Sequence, residues 1–231
     1  FTFGLKALMA FRKAKNAPHR VHYFHQVDDP YSALTVAALP ALLARYDIEL
    51  QVHIVDAPPD SAAPERDKLI AYSRVDAERI ATRYGLTFKD PGQQPAPEAV
   101  ATASACLVAN HEAETFAALA SRLTQNLWKT GTDLFTGIKA PVASASAVNA
   151  HKASANALRS QLGHYLGATF FYAGEWYWGI DRLYHLEQRL QDVQAQRPGV
   201  EGVLFPPVAD LSTPVKCINP PPIDFFFSFR S

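Results

Sequence analysis

Residues 21–55 constrain this chain most: a β-branched and aromatic run, an apolar run at helical spacing, then an alternating run. Residues 21–27 (VHYFHQV) read as a strand, because such side chains suit a pleated, half-buried surface. Pro30 then marks a sharp turn, and Asp28 and Asp29 stand where a following helix would be capped. Residues 32–46 place Leu34, Ala38, Leu42 and Leu43 or Tyr46 near helical spacing. Pro40 lies inside that run and predicts a kink or a local loosening. Residues 48–55 (IELQVHIV) alternate and read as a second strand. Strand, helix and strand at this spacing form one right-handed parallel unit.

Downstream, residues 58–64 are a proline and alanine loop. Residues 65–84 then read as a helix ended by Gly85, since glycine accepts the left-handed conformation of a helix end. Residues 91–97 are a second loop. The alanine-rich stretch 98–162, interrupted by Gly131, Gly137 and Pro141, predicts three or four helices. Residues 167–172 and 175–178 flank Ala173-Gly174 and read as a hairpin. Residues 181–196 follow as an amphipathic helix with Leu183, Leu186, Leu190 and Val193 on one face. The order is βαβ, a helical block, then ββα.

Composition narrows the function classes. Lys plus Arg equals Asp plus Glu, 22 each among 231 residues, so bulk electrostatic attraction to nucleic acid or a membrane surface is not expected. Apolar residues make up 48%, enough for a sizeable core. Cys106 and Cys217 are far apart and form neither a disulfide framework nor a CxxC pair, which suggests a reducing, cytoplasmic setting. The apolar start, residues 1–10, precedes its basic residues instead of following them. It therefore reads as an arm packing on its own domain, not a secretory signal. The histidines show no paired spacing such as HExxH, so no metal site is expected.

The βαβ, helical insertion, ββα order is that of a thioredoxin-like α/β fold of the DsbA type. Two local patterns are more specific: Asp29-Pro30-Tyr31-Ser32 after the first strand, and GHYLGATFFYAGEWYWGIDRLYHLEQRL over residues 163–190, with Trp178-Gly179-Ile180-Asp181-Arg182 at a helix start. Together they resemble the 2-hydroxychromene-2-carboxylate isomerase and kappa-class glutathione transferase family. The resemblance spans residues 21–190, with Lys68, Tyr72, Asp76 and Arg79 on a helix of similar pattern.

That resemblance implies a glutathione-dependent isomerase or transferase acting on a small-molecule substrate, and it leaves a dimer open. In the family a serine at the start of the first helix faces glutathione's sulfur and favours the thiolate; the matching position here is Asp29. A carboxylate there repels a thiolate, and an aspartate at a helix start is expected to have a lowered pKa, which makes a poor base at neutral pH. Tyr31 follows it, and Ser32 matches the motif's second serine, either as a catalytic hydroxyl or as a helix-start cap. The family's cis-proline has its counterpart in Ala168, between Gly167 and Thr169, whose backbone would pair with the ligand. A cis bond before alanine costs about 3 kcal/mol, so the trans form is expected. Asp181 matches the residue receiving the ligand's α-amino group, or is a plain helix cap. Trp176, Tyr177 and Trp178 read either as core and rim aromatics or as a ligand platform, with Trp176 and Trp178 bordering the site. Disulfide exchange needs a thiol in the turn, and Asp29 and Ser32 supply none.

The implied organisation is an arm over residues 1–20, a core over 21–60 and 163–196, and an insertion over 61–162. A proline-rich linker follows at 197–222. Residues 223–229 (IDFFFSF) are strand-like again. They read either as an added edge strand or as the start of a second such domain over 223–231, with Ser231 at the activating serine position. On the second reading this first copy is degenerate, a non-catalytic scaffold or partner-binding domain for an active second copy.

Overall fold

A computed structural model of the chain describes residues 18–207 and residue 222. The expected second strand-like run at 223–229, Ser231, Cys217 and nearly all of the arm lie outside the described residues. The sheet has four strands: β1 (His19–Gln26), β2 (Ile48–Val55), β3 (Thr169–Tyr172) and β4 (Glu175–Trp178). Their order is β2-β1-β3-β4, with β1 and β2 parallel and the other pairs antiparallel. The register sets His19 opposite Ile48 and Gln26 opposite Val55, so the crossover is one complete parallel unit. The hairpin turns at Ala173-Gly174, both with positive φ (52° and 86°), as its tight connection requires.

Helix α1 (Pro30–Arg45) makes the crossover. It begins where expected because Asp29 caps it, and it runs through Pro40 without ending. Pro40 is exposed, so its ring sits in solvent and the helix forgoes only one backbone donor. Between β2 and β3 stand α2 (Arg66–Tyr84), α3 (Pro97–Ala109), α4 (Ala113–Trp128) and α5 (Ala145–Gln161). Gly85 ends α2 in the left-handed conformation, φ 67°, as its sequence position suggests. The last helix differs from expectation. Residues Ile180–Arg182 form a 3-10 turn, and α6 proper is Leu183–Asp192.

Strand alternation divides the core. Val21 and Tyr23 of β1, with Phe170 of β3, face α1, α4 and α6. There Tyr23 and Phe170 stack at 4.8 Å, and Leu34, Leu39, Leu42, Leu183, Leu186 and Leu190 are buried against them. Phe24 and Val55 point the other way, onto Ala155 of α5, with Phe171 and Trp176 beside them. Among the described residues no helix is long and apolar enough to cross a membrane.

Candidate functional site

The C-terminal end of β1, the start of α1, the first turns of α2 and the Leu166-Gly167 turn enclose a cleft of about 560 Å³. The end of a parallel strand feeding a helix N-terminus is where such sheets leave room for a ligand. Asp29 lies at its base. Its Oδ2 accepts from the Ser32 amide and the Ser32 hydroxyl, both at 2.8 Å, and its Oδ1 accepts from the Tyr31 amide at 3.3 Å.

These bonds alone would hold the carboxyl low, the direction expected from its capping position. Burial outweighs them and pushes Asp29 up to about 6, with the Asp28 carboxylate adding to the rise. The expectation of a lowered pKa is therefore reversed: desolvation of the charge exceeds what three hydrogen bonds return. A carboxyl of this kind can take up and release a proton near neutrality.

The remaining walls follow from local sequence. Tyr31, the second residue of α1, donates its hydroxyl to Asp76 of α2 at 2.9 Å and meets the Trp178 ring edge to face at 5.4 Å. Gln94, from the loop after α2, donates to the Asp28 carbonyl at 2.9 Å and so anchors that loop at the cleft mouth. Arg66 clamps the loop after β2 through Asp60 at 2.6 Å and the Pro58 carbonyl at 2.7 Å. Leu69, Tyr72 and Tyr165 line the same cleft and are largely exposed, an unusual concentration of wet apolar surface.

Of the residues the sequence singled out, Asp29, Tyr31, Gly167 and Trp178 line the cleft. Ser32 is fully buried beneath it, where its hydroxyl also accepts from the Gln26 amide at 3.2 Å, so it braces Asp29 from below. Ala168 and Thr169 are fully buried. The Gly167–Ala168 bond is trans, and Ala168 carries a positive φ of 53°, a conformation an alanine adopts only under constraint. Gly167 packs so tightly that a Cβ there would stand 2.6 Å from Gln26 Cβ. Asp181 lies in the 3-10 turn outside the cleft lining and pairs with Arg182 at 3.2 Å. Trp176 is not at the site either: it packs on Phe24 and Phe171 across the sheet and donates to the Leu162 carbonyl.

Sequence reading misses Arg66 and Leu69, at the start of α2, and Gln94, in the loop after it; Tyr165 lies in the quoted 163–190 pattern without being singled out, and Tyr72 and Asp76 stand in the noticed helix pattern. The histidines show no paired spacing in the sequence. The fold gathers His22, His53, His111 and His151 from four elements on the α5 side of the sheet. Among the described residues no three His, Cys, Asp or Glu side chains are placed to hold a metal ion.

No family model matches the chain. No curated protein matches it in sequence either. Its fold, however, is similar to a solved structure of selenomethionine 2-hydroxychromene-2-carboxylate isomerase, with a TM-score of 0.51, 17% identity, and coverage of 76% of this chain and 96% of the other. The shared fold is DsbA-like thioredoxin. At that identity the likeness concerns the fold, and the cleft described above is this chain's own.

Proposed function

We propose that this chain is a DsbA-fold protein of the isomerase or transferase type that binds glutathione and a small substrate in the Asp29 cleft. The observation that carries this reading is the rim of exposed Leu69, Tyr72 and Tyr165 around a half-buried carboxyl poised near neutrality. In the resembled family a serine favours the thiolate; here Asp29 acts as the proton acceptor. Transfer from thiol to carboxylate leaves the pair with one negative charge and so avoids the repulsion between two anions. With a free thiol near 8.5 and Asp29 near 6, that transfer is uphill by about 3 kcal/mol. Only a small thiolate fraction forms, and turnover is slow unless the substrate draws it off. Tyr31 and Trp178 supply the aromatic wall, and Gly167 lets the ligand backbone approach.

A competing reading is a partner-binding domain without turnover. It draws support from the full occupation of both Asp29 oxygens by the α1 cap. Reduced glutathione titrated against Trp178 fluorescence separates them when repeated with Asp29→Ser. The proposed function predicts saturable binding, and thiol transfer to an electrophile with a pH profile that Asp29→Ser displaces. Binding without any thiol chemistry supports the partner-binding reading.

A further inference from the structure

Among the described residues β1 pairs with β2 along one side and no strand pairs along the other, which makes that side an edge of the sheet. Such an edge is a template for unwanted pairing unless something covers it. Here α5 covers it through side chains one turn apart. The Ile54 amide donates to His151 Nε2 at 3.1 Å, and the Asp56 amide donates to Asn156 Oδ1 at 3.1 Å. Arg159 donates to the Asp56 carbonyl at 3.0 Å, and Lys152 pairs with the Asp56 carboxylate at 3.0 Å.

These contacts differ in what a proton does to them. An amide N–H can only donate, so His151 Nε2 must be bare and its Nδ1 must carry the hydrogen. We propose that this contact makes α5 an acid-releasable cover on the sheet edge: a proton on His151 Nε2 sets two donors face to face at Ile54, and α5 lifts from β2. The Asn156, Lys152 and Arg159 contacts on Asp56 outweigh burial and hold its carboxyl low, so they persist at about pH 5 and the release starts at Ile54 against them.

The surroundings set when this occurs. His151 meets His111, from the loop between α3 and α4, at 5.1 Å between rings. The recess they share with His53 is lined also by Glu49 of β2, Glu112 and Glu114 at the start of α4, and Arg197 beyond α6. Behind His53 stands His22, bonded ring to ring at 2.9 Å, with Arg20 and Glu49 paired beside it at 3.1 Å. That ring-to-ring bond holds one proton between two nitrogens, so a second proton breaks it as well. Burial lowers His151, with His111 adding to the effect, and burial holds His53 down to about 4. Burial and the neighbouring rings lower both histidines, and the fall is the larger at His53, so His151 releases first as the pH falls and His53 later.

Release matters for the cleft because Ala57 and Pro58, which follow Asp56, form part of its wall. The test is amide hydrogen exchange of β2, corrected for the intrinsic rate, at about pH 7.5 and about pH 5, with wild type and His151→Gln. Glutamine offers an acceptor oxygen at every pH. Protection of the Ile54 segment should fall about ten-fold or more in wild type, with β3 and β4 still protected, and stay level in His151→Gln. Unchanged wild-type protection, an equal fall in the variant, or loss across the entire sheet overturns the proposal. Wild-type ring-nitrogen resonances of His151 give a second readout that needs no variant. Nε2 must be bare at neutral pH and protonated where protection falls; lost protection with Nε2 still bare also overturns it.

Discussion

At the residue scale the site turns on a contest at Asp29 between capping and burial. Its raised pKa fixes the sign of a stability effect. The folded state prefers the protonated carboxyl, so this group's contribution is fully present below its unfolded value of 3.8 and is lost as the pH rises through about 6. Asp29→Asn keeps a capping acceptor and removes the charge. At neutral pH it should therefore be more stable than wild type by on the order of 2 kcal/mol, a gain that vanishes near pH 4. Urea unfolding of both proteins across that range checks it. Gly167 is a second decisive residue. Its missing side chain lets the turn before β3 lie against Gln26 and Ser32. Gly167→Ala should cost about 1–3 kcal/mol by overpacking and weaken any ligand binding in the cleft, measured by urea unfolding and the fluorescence titration.

At the element scale, α6 is tied to the rest by a buried carboxylate. Glu187 is fully buried, accepts from the Leu204 amide at 2.8 Å and the Tyr46 hydroxyl at 3.1 Å, and lies 3.5 Å from Arg45. Glu187→Ala would leave a half-buried guanidinium and a buried amide without their acceptor, so a loss of about 3 kcal/mol is expected; Glu187→Gln should lose about half of that or less. Thermal unfolding of the two variants distinguishes them.

The elements themselves were largely legible. Residues 48–55 coincide with β2, Gly85 ends α2, and Ala173-Gly174 turns the hairpin, because each rests on alternation or on backbone conformation that nearby residues dictate. At the site, Asp29 was legible as the cap of the first helix, and Tyr31, Tyr72, Gly167 and Trp178 through the resemblance. Arg66 and Leu69 reach the cleft from the start of α2, and Gln94 and Tyr165 from loops, and no period in the sequence encodes that convergence. The reversed pKa of Asp29 likewise depends on walls contributed from more than a hundred residues away. Residues 181–196 read as one regular helix, whereas the chain leaves Gly179 through a 3-10 turn and Asp181 is not among the residues lining the cleft.

At the scale of the molecule, the buried histidines govern acid stability. Burial depresses His25 to about 3 and His53 to about 4. Groups of this sign give stability that is whole above the unfolded histidine value of 6.5 and is lost as the pH falls toward those depressed values. Asp29 acts oppositely over part of the window, but as one carboxyl against two deeply depressed imidazoles. The urea midpoint should thus be highest above about pH 6.5 and decline steadily below it. A midpoint that rose on acidification would contradict this balance.

Glutathione in the Asp29 cleft is the proposal on which the functional reading rests. Reduced glutathione titrated into the chain, followed by tryptophan emission with Trp178 at the cleft, tests it most directly. Saturable quenching at roughly micromolar to millimolar concentrations, weakened about ten-fold or more by stripping the exposed cleft rim with Leu69→Ser and Tyr72→Ser, is the predicted result. Emission unchanged up to several millimolar, with no heat of binding by calorimetry, would contradict it.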